Sequence, residues 1–539
     1  MSSAETDSGP ADGQDLRAEA GPIAAGSGAR EPRQRRGWAL LILLAALATI
    51  VLPVRRPPIL DLPMLLDQAT SLSAVLAGTR TDQSIDWVGP NKLGVLLAWA
   101  VRGLTPEVWA PRLIAFAVAS VWLLSFHLIA HRAHRPVAAA ILVSPLLFGS
   151  AFYAGFFNFV AGVAALAFWV IELEPRRRTG PAWRIALSTL LGALLLYWAH
   201  VLWLFAVGFA VATCVLLHRF RWQEAAARLV SVLPVAWLGI EWSRGAKGSA
   251  WQTMILVMVE PLDRLRSLAL SSSLALGGIR SPVESVVLVA VLGWILLGVV
   301  RAVRERGSTL HPFLGITALV LIGVAILAPD TVDKTMLFAW RWGGLALATA
   351  VLAVPPPELP AGRLLLFASF VAALHLSVTA ASWRAWERDE LAGFEDALGA
   401  IPPSARLVQL DVGDPVAEFR FQPVIHLYAY AASEHGAWIP FRFADLGNGL
   451  MRWVHNDQRR VSADFVLWQP GRLRSADLRQ FTHVLVRSPG DELGRLAPWA
   501  EVLRLVRGSG RWGLFEVAAP AGAPARPTTN DDADASDPE

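Results

Sequence analysis

Long apolar runs separated by short polar segments recur through the first 380 residues and predict membrane-spanning helices. The first run, 38–54, follows four arginines and lacks the small-residue cleavage site of a signal peptide, so we predict an uncleaved span. Further runs lie at about 110–130, 137–151, 155–173, 184–199, 200–217, 228–241, 284–301, 312–328, 336–354 and 363–380. The pattern predicts a mainly α, polytopic membrane protein of about 11 transmembrane helices.

The basic residues predict the orientation of this bundle. Reading the adjoining runs 184–199 and 200–217 as one helix would reverse the side of every later loop. With two helices and an inside N-terminus, the inner segments hold 17 Lys or Arg in 57 residues, against 11 in 104 for the outer loops. The inner segments are 30–36, 131–136, 172–184, 217–228, 301–310 and 355–363, and the outer loops are 55–109, 242–283 and 329–335. This excess follows the positive-inside rule and predicts a cytoplasmic N-terminus and an extracytoplasmic C-terminal region.

Two of the outer loops are long, 55–109 and 242–283. In the first, the stretch 91–104 is apolar but short, which predicts a helix at the interface or one dipping into the bundle. The second mixes Trp, Arg and apolar residues, which is typical of an amphipathic surface helix. We therefore expect both loops to lie close to the membrane surface.

The composition changes after residue 380 and predicts a small α/β domain at 381–518. Helical patterning over 386–400 stops at two prolines, and the apolar runs predict strands and a further helix. The strands are expected at 405–410, 483–486 and 513–517, and the helix at 424–432. Segments 1–36 and 519–539 have the composition of a disordered cytoplasmic arm and a disordered acidic tail, which leaves 37–380 as the transmembrane domain.

Composition narrows the possible classes of protein. With 54% hydrophobic and 17% charged residues, the chain is neither a disordered scaffold nor a purely soluble enzyme. The net charge of +4 comes from short clusters between apolar runs and forms no continuous basic face, so we predict no nucleic-acid partner. Cys214 is the single cysteine, which excludes an intrachain disulfide framework or a thiolate metal site.

Asp61 is the most informative polar residue, in the sequence ILDLP directly after the first span. A carboxylate at the membrane face can accept a proton from a nucleophilic hydroxyl or hold a cation. The same position also suits the N-cap of a helix, with Pro63 two residues later. We take Asp61 as the candidate catalytic residue, and the capping role remains open.

Three further carboxylates follow in the first loop. Asp67 is a candidate substrate-binding residue, although six positions separate it from Asp61 and place it off the same helical face. Asp82 and Asp86 are four residues apart and could share a face, as many solvated pairs do.

Two candidate substrate-binding residues lie at the ends of predicted spans. Asn158, in the sequence FYAGFFNF at 152–159, enters a helix where a polar side chain needs a partner, and the alternative is aromatic packing around the turn that Gly155 permits. His200, after Tyr197-Trp198-Ala199, could orient a phosphate or shuttle a proton, or be a satisfied interfacial histidine. His127, in mid-span, is expected to hydrogen-bond a neighbouring helix.

Arg341 is a candidate substrate-binding residue in an otherwise apolar run. Such a charge is costly unless it meets a partner, and a polyprenyl phosphate would supply an anion at this depth. The alternative is an ion pair with Asp330 or Asp333 across the preceding turn. The chain contains no Walker loop, dinucleotide fingerprint, HExxH or GxSxG motif.

The architecture and motifs resemble the GT-C superfamily of integral-membrane glycosyltransferases. The motifs are the LDLP sequence around Asp61, PNKLGVLL at 90–97, FYAGFFNF at 152–159 with YWAHVLW at 197–203, and a soluble domain after the last span. The resemblance covers about 38–520, mostly as architecture. In particular, the chain resembles bacterial GT-C-like proteins whose first loop reads DLPxH, although Leu65 stands in place of that histidine.

The resemblance implies transfer of a sugar from a polyprenyl-phosphate donor to a glycan, lipid or protein acceptor at the outer face of a bacterial plasma membrane. It assigns Asp61 the role of general base or acceptor-orienting carboxylate. His200 and Arg341 are added from their placement. Some branches need a divalent cation and others do not, and the sequence leaves this open.

Two other functions remain open: a transporter or flippase of a lipid-linked substrate, and a non-catalytic envelope assembly protein with a GT-C-like shell. A transporter predicts ionisable residues along mid-membrane helices, whereas these gather at the outer face, apart from His127. In the soluble domain, His426, His435, His455 and Asp445 lack metal-ligand spacing and are expected on the solvated surface.

Overall fold

The computed structural model of the chain describes its membrane domain and most of its C-terminal domain. The described residues are 33–173, 180–217, 222–246, 256–257, 260, 276, 281–306, 309–329, 331–332, 339–420, 422–446, 449–454, 473–488 and 493–518. The predicted disordered arm and acidic tail lie almost wholly outside these residues, as does most of loop 242–283 with its predicted amphipathic helix.

Every predicted apolar run coincides with a helix. The helices of the membrane domain are α1 (Arg33–Val51), α2 (Leu62–Leu76), α3 (Leu93–Leu104), α4 (Ala110–Arg132), α5 (Val137–Val143), α6 (Ser150–Tyr153), α7 (Phe157–Glu172), α8 (Ala182–Ala199), α9 (Val201–Leu217), α10 (Trp222–Ala246), α11 (Ser281–Arg304), α12 (Pro312–Leu327), α13 (Gly343–Ala353) and α14 (Ala361–Ala385). Turns of 3₁₀ helix lie at Glu107–Trp109, at Ser144–Phe148 after α5 and at Ala339–Arg341 before α13, and a π-helical turn, Trp386–Glu390, continues α14.

Six helices in the described part of the chain are long and apolar enough to cross a membrane. They are Gln34–Val51, Glu107–Arg132, Ala182–Ala199, Trp222–Trp242, Pro282–Arg304 and Ala361–Glu390. Shorter apolar helices at Val137–Phe148, Phe157–Glu172, Val201–Cys214, Pro312–Leu327 and Gly343–Ala353 account for the other predicted runs. The prediction of a mainly α, polytopic membrane protein is confirmed.

The runs 184–199 and 200–217 form two helices, as predicted. His200 between them is extended, with φ −167° and ψ 133°. The Arg228 guanidinium of α10 donates to the Thr189 hydroxyl of α8, and Gly239 lies beside the Tyr197 ring further along the same pair. Because α8 and α10 therefore run in the same direction, α9 carries the chain back between them.

The C-terminal domain is a four-stranded sheet with short helices. Its strands are β4 (Leu407–Asp411), β6 (His483–Arg487), β7 (Leu503–Ser509) and β8 (Trp512–Val517), in the spatial order β4-β6-β8-β7, and its helices are α15 (Phe394–Gly399), α16 (Ala429–His435) and α17 (Ser475–Leu478). β4 and β6 are parallel, and the remaining pairs are antiparallel. The three predicted strands are confirmed, and the predicted helix at 424–432 begins later, at Ala429.

Alternate residues of this sheet enter two different cores, as the two-residue repeat of a strand requires. Leu407, Leu485 and Leu514 join the large hydrophobic cluster of the membrane bundle. Val408 and Val484 join a separate cluster with the helix and turns on the opposite face. The strands β4, β6 and β8 are therefore buried on both faces, and one face of the sheet rests on the bundle.

The first outer loop is structured and joins the C-terminal domain. Its strand β1 (Gln83–Ile85) pairs antiparallel with β5 (Met451–Trp453) of that domain. Asp82 and Asp86, which could have shared a helical face, instead lie on either side of this strand. In the second loop, β2 (Leu256–Val257) pairs with β3 (Thr331–Val332).

Candidate active site around Asp61

Asp61 occupies the N-cap position of α2, but its carboxylate makes no capping hydrogen bond. The helix starts with Pro63 in its first turn, and the Leu65 N–H donates to the backbone oxygen of Asp61. The side chain is 15% exposed. The carboxylate is therefore available for contacts at the end of the helix bundle.

The turn after α6 holds Asp61 in place. The backbone oxygen of Tyr153 accepts from the Leu60 N–H at 2.9 Å. Gly155 has φ +80°, and a Cβ added there would lie 2.7 Å from the Asp61 Cβ. Only glycine meets both requirements, since other residues disfavour positive φ and would collide with the aspartate. The FYAGFF sequence thus builds one wall of the site.

Arg341 lies on the same wall, in the 3₁₀ turn before α13. It is 8% exposed, and its guanidinium carbon lies 3.7 Å from the centre of the Phe156 ring, in cation–π geometry. Its Nη1 atom is 3.4 Å from Nε2 of His200. The alternative partners, Asp330 and Asp333, lie outside the described residues. The structure thus brings Asp61, Arg341 and His200 to one end of the bundle.

The expectation that His426 lies on the solvated surface is wrong. The residue is 6% exposed, and its Nε2 atom lies 3.5 Å from Oδ1 of Asp61. It precedes α16 in the apolar sequence VIHLYAY, where a lone polar residue is a signal of burial. Sequence reasoning missed it because the residue that it contacts is more than 300 positions away.

Burial has the largest effect on the pKa of the Asp61 carboxyl group. Loss of solvent raises the pKa of its carboxyl to about 7, and the positive charge of Arg341 opposes that rise. The carboxyl therefore titrates near neutral pH, where a general base is most effective.

In the structure, the side chains of Asp67 and Asn158 accept hydrogen bonds that join different elements of the protein. The buried Asp67 carboxylate accepts from Arg442 of the C-terminal domain at 2.9 Å, which ties α2 to that domain. Asn158 Oδ1 accepts from the Gly94 N–H at 2.5 Å and holds α3 against α7. His127 Nδ1 contacts the Leu123 oxygen of its own helix, so the expected bond to a neighbouring helix is not the contact observed there.

Within the described residues, no three His, Cys, Asp or Glu side chains come together as potential ligands for a metal ion. The cation beside Asp61 is the Arg341 guanidinium. A carboxylate and a guanidinium at the end of an apolar bundle can act on a phosphate-bearing lipid, the first by taking a proton and the second by binding anionic oxygens.

Comparisons with known proteins identify solved structures that resemble this fold. Neither a search of protein-family models nor a search of curated proteins finds a match. Among solved structures, ArnT from Cupriavidus metallidurans in the apo state aligns with a TM-score of 0.52 and 12% identity, covering 91% of this chain and 100% of that one.

Two further structures align less closely. ArnT bound to undecaprenyl phosphate has a TM-score of 0.47, 12% identity and coverage of 91% of this chain and 99% of that one. The arabinofuranosyltransferase AftD from Mycobacteria has a TM-score of 0.47, 13% identity and coverage of 91% of this chain and 40% of that one. On the apo ArnT alignment, which spans nearly all of both chains, this protein has the same overall fold as that structure.

Proposed function

We propose that the protein is a membrane glycosyltransferase that moves a sugar from a polyprenyl-phosphate donor to a hydroxyl-bearing glycan, lipid or protein acceptor. The observation that carries this proposal is the Asp61 carboxylate, 15% exposed, beside the buried Arg341 guanidinium at one end of a GT-C-like bundle. We further propose that this end faces outward from a bacterial plasma membrane, as the distribution of basic residues predicts.

Asp61 would act as the general base. It takes the proton of the acceptor hydroxyl as the oxygen forms a bond to the anomeric carbon of the donor. The bond from that carbon to the phosphate oxygen breaks, and its electron pair leaves with the polyprenyl phosphate. The pKa near 7 suits this step, because the carboxylate form is present and still basic.

Arg341 would stabilise the leaving phosphate. Its guanidinium is charged at any physiological pH and offers several donors to phosphate oxygens. Phe156 beneath it restricts the guanidinium plane. Charge develops on the phosphate as the glycosidic bond breaks, so a fixed cation there lowers the barrier. His200, 3.4 Å away, would orient the guanidinium.

The test is replacement of Asp61 with asparagine in the full-length protein. We expect D61N to reduce transfer by about 10²–10⁴-fold, because the amide cannot take a proton. The measurement is mass spectrometry of lipid-linked and envelope glycans from cells that carry D61N, compared with a deletion strain. Asp396→Asn is the matched control, since Asp396 is an exposed carboxylate on α15.

The same experiment separates the alternatives. If D61N reaches the membrane at the wild-type level and reproduces the deletion profile, the catalytic role stands. A wild-type profile for D61N, together with a changed profile in the deletion strain, would contradict it and favour an assembly protein. Intact donor that crosses the membrane of proteoliposomes carrying the purified protein would indicate a transporter.

A further inference from the structure

His426 brings the C-terminal domain into contact with Asp61. Its Nε2 atom lies 3.5 Å from Oδ1 of the carboxylate, which is longer than a typical hydrogen bond. The residue comes from the segment before α16, whereas Asp61 starts α2. The chemistry proposed above uses neither His426 nor any other residue of this domain.

The aromatic residues around His426 determine the protonation state of its ring. Its ring stacks on Phe441 at 6.0 Å and 26°, and the rings of Tyr428 and Phe443 meet it edge-on at 6.1 and 6.2 Å. Burial in this aromatic cage lowers the pKa of His426 to about 3, so the ring is neutral at physiological pH.

A neutral imidazole carries one N–H. Among the described residues, Nδ1 of His426 is buried without a hydrogen-bond partner, whereas Nε2 faces the Asp61 carboxylate. The proton is therefore assigned to Nε2, because there it can be donated to an oxygen that carries charge.

We propose that His426 is a positioning residue, which donates from Nε2 to Oδ1 of Asp61 and leaves Oδ2 for the acceptor hydroxyl. The C-terminal domain then forms part of the active site. The effect on turnover rests on the proposed glycosyltransferase function, whereas the contact itself does not.

The variants of His426 leave every other charged or titratable side chain around Asp61 in the sequence. These side chains are Arg341 from the turn before α13, His200 between α8 and α9, Tyr428 of the C-terminal domain and Asp67 on α2. A change in the titration of Asp61 on substitution of His426 therefore reports on the His426 contact. Loss of a donor to the charged form raises the pKa of the carboxyl.

The experiment is a pH titration of Asp61 by dicyclohexylcarbodiimide, which reacts with protonated carboxyl groups in apolar sites. The full-length protein in detergent is labelled between pH 5 and 10, and modification of Asp61 itself is located and measured by fragmentation of its peptide in the mass spectrometer. D61N supplies the blank. Labelling of Asp67, held by Arg442, is followed in the same samples as an internal reference.

Two variants separate a hydrogen bond from simple packing. His426→Gln places an amide N–H near the position of Nε2 but removes the ring, whereas His426→Phe keeps the ring and removes the donor. We expect the labelling midpoint of Asp61 to stay within a few tenths of a unit in H426Q. We expect it to rise by about one to two pH units in H426F, the size of a hydrogen bond to an ionised group.

The proposal is overturned if H426F keeps the wild-type midpoint, or if both variants shift it equally. In cells, H426F should lose most of the glycan product and H426Q should retain it. If D61N leaves the glycans unchanged while the midpoints behave as expected, the proposed function fails and the His426–Asp61 contact stands.

Discussion

Asp61, Arg341 and His426 lie together although hundreds of residues separate them along the chain, and this convergence defines the site at the scale of single residues. Sequence patterns drew attention to the first two. A carboxylate directly after a span and an arginine within an apolar run cost free energy unless each meets a polar or charged partner. The patterns also left capping open for Asp61, whose carboxylate makes no side-chain cap bond at the start of α2. The position of His426 in the site was not predicted, because a single histidine in an apolar run does not indicate which residue it contacts.

The raised pKa of Asp61 predicts the pH dependence of transfer. A base works in its ionised form, so its activity is absent well below the pKa and present above it. With a pKa of about 7, we expect the rate to rise about tenfold per unit as pH increases toward 7, then to level off. The measurement is the initial rate against pH for the reconstituted protein, with the donor identified from the deletion strain. A flat profile between pH 5 and 8 would exclude Asp61 as the base.

Gly155 offers a second test at this scale. Gly155→Ala puts a Cβ 2.7 Å from the Asp61 Cβ at a φ of +80°, so we expect a loss of about 1–3 kcal/mol in unfolding free energy. Gly103→Ala is the control, because nothing lies within 4 Å of its Cβ position in α3. The measurement is thermal unfolding in detergent. Equal stability of the two variants would show that the turn does not constrain Asp61.

Among the helices and strands, those with an apolar run of their own were predictable and the others were not. An apolar run needs only its own residues to be recognised, which is why helices such as α4 and α14 match the predicted spans. β1 and β5 contain three residues each, and each is a strand only because it pairs with the other, which lies far away in the sequence. β7 was missed because, of its seven residues, only Leu503 is not exposed, so it shows no buried face.

The contact between the end of α1 and the C-terminal domain rests on Arg56. Its guanidinium binds the carboxylates of Glu395 and Glu434, with its side chain 2% exposed, and its backbone oxygen accepts from the Trp386 indole. We expect Arg56→Met to cost about 3–5 kcal/mol, because Glu434 loses the counter-charge of Arg56 and Glu395 keeps only the more exposed Arg55.

Limited proteolysis of the purified protein measures this effect, as earlier release of the C-terminal domain. Arg55→Met is the control, since Arg55 pairs with Glu395 at 2.9 Å but is 42% exposed, so we expect a change below about 1 kcal/mol. Equal protection of the domain in R56M and R55M would contradict the role given to Arg56.

For the molecule as a whole, the contact between the first loop and the C-terminal domain constrains the topology. The two regions meet directly through β1 and β5, so an even number of membrane crossings must separate them. The predicted spans between them number ten when 184–199 and 200–217 are counted as two helices, and nine when they are counted as one. The parallel course of α8 and α10 agrees with ten.

Cysteine labelling tests this arrangement. In a Cys214→Ala background, which removes the single native cysteine, we expect Thr79→Cys and Asp396→Cys to react with an impermeant maleimide on intact cells. Glu358→Cys, on the predicted inner side, should react only after permeabilisation. Labelling of Thr79→Cys and Asp396→Cys from different sides would contradict both the parity argument and the pairing of β1 with β5.

The pairing of β1 with β5 also has a consequence for biosynthesis. The ribosome makes β1 several hundred residues before β5, and at about 5–20 residues per second the first strand waits on the order of tens of seconds for its partner. Asp61 likewise meets His426 only after more than 400 residues have been made. A partly synthesised chain that is already inserted in the membrane therefore holds an incomplete site, and assembly of that site is one of the last events of folding.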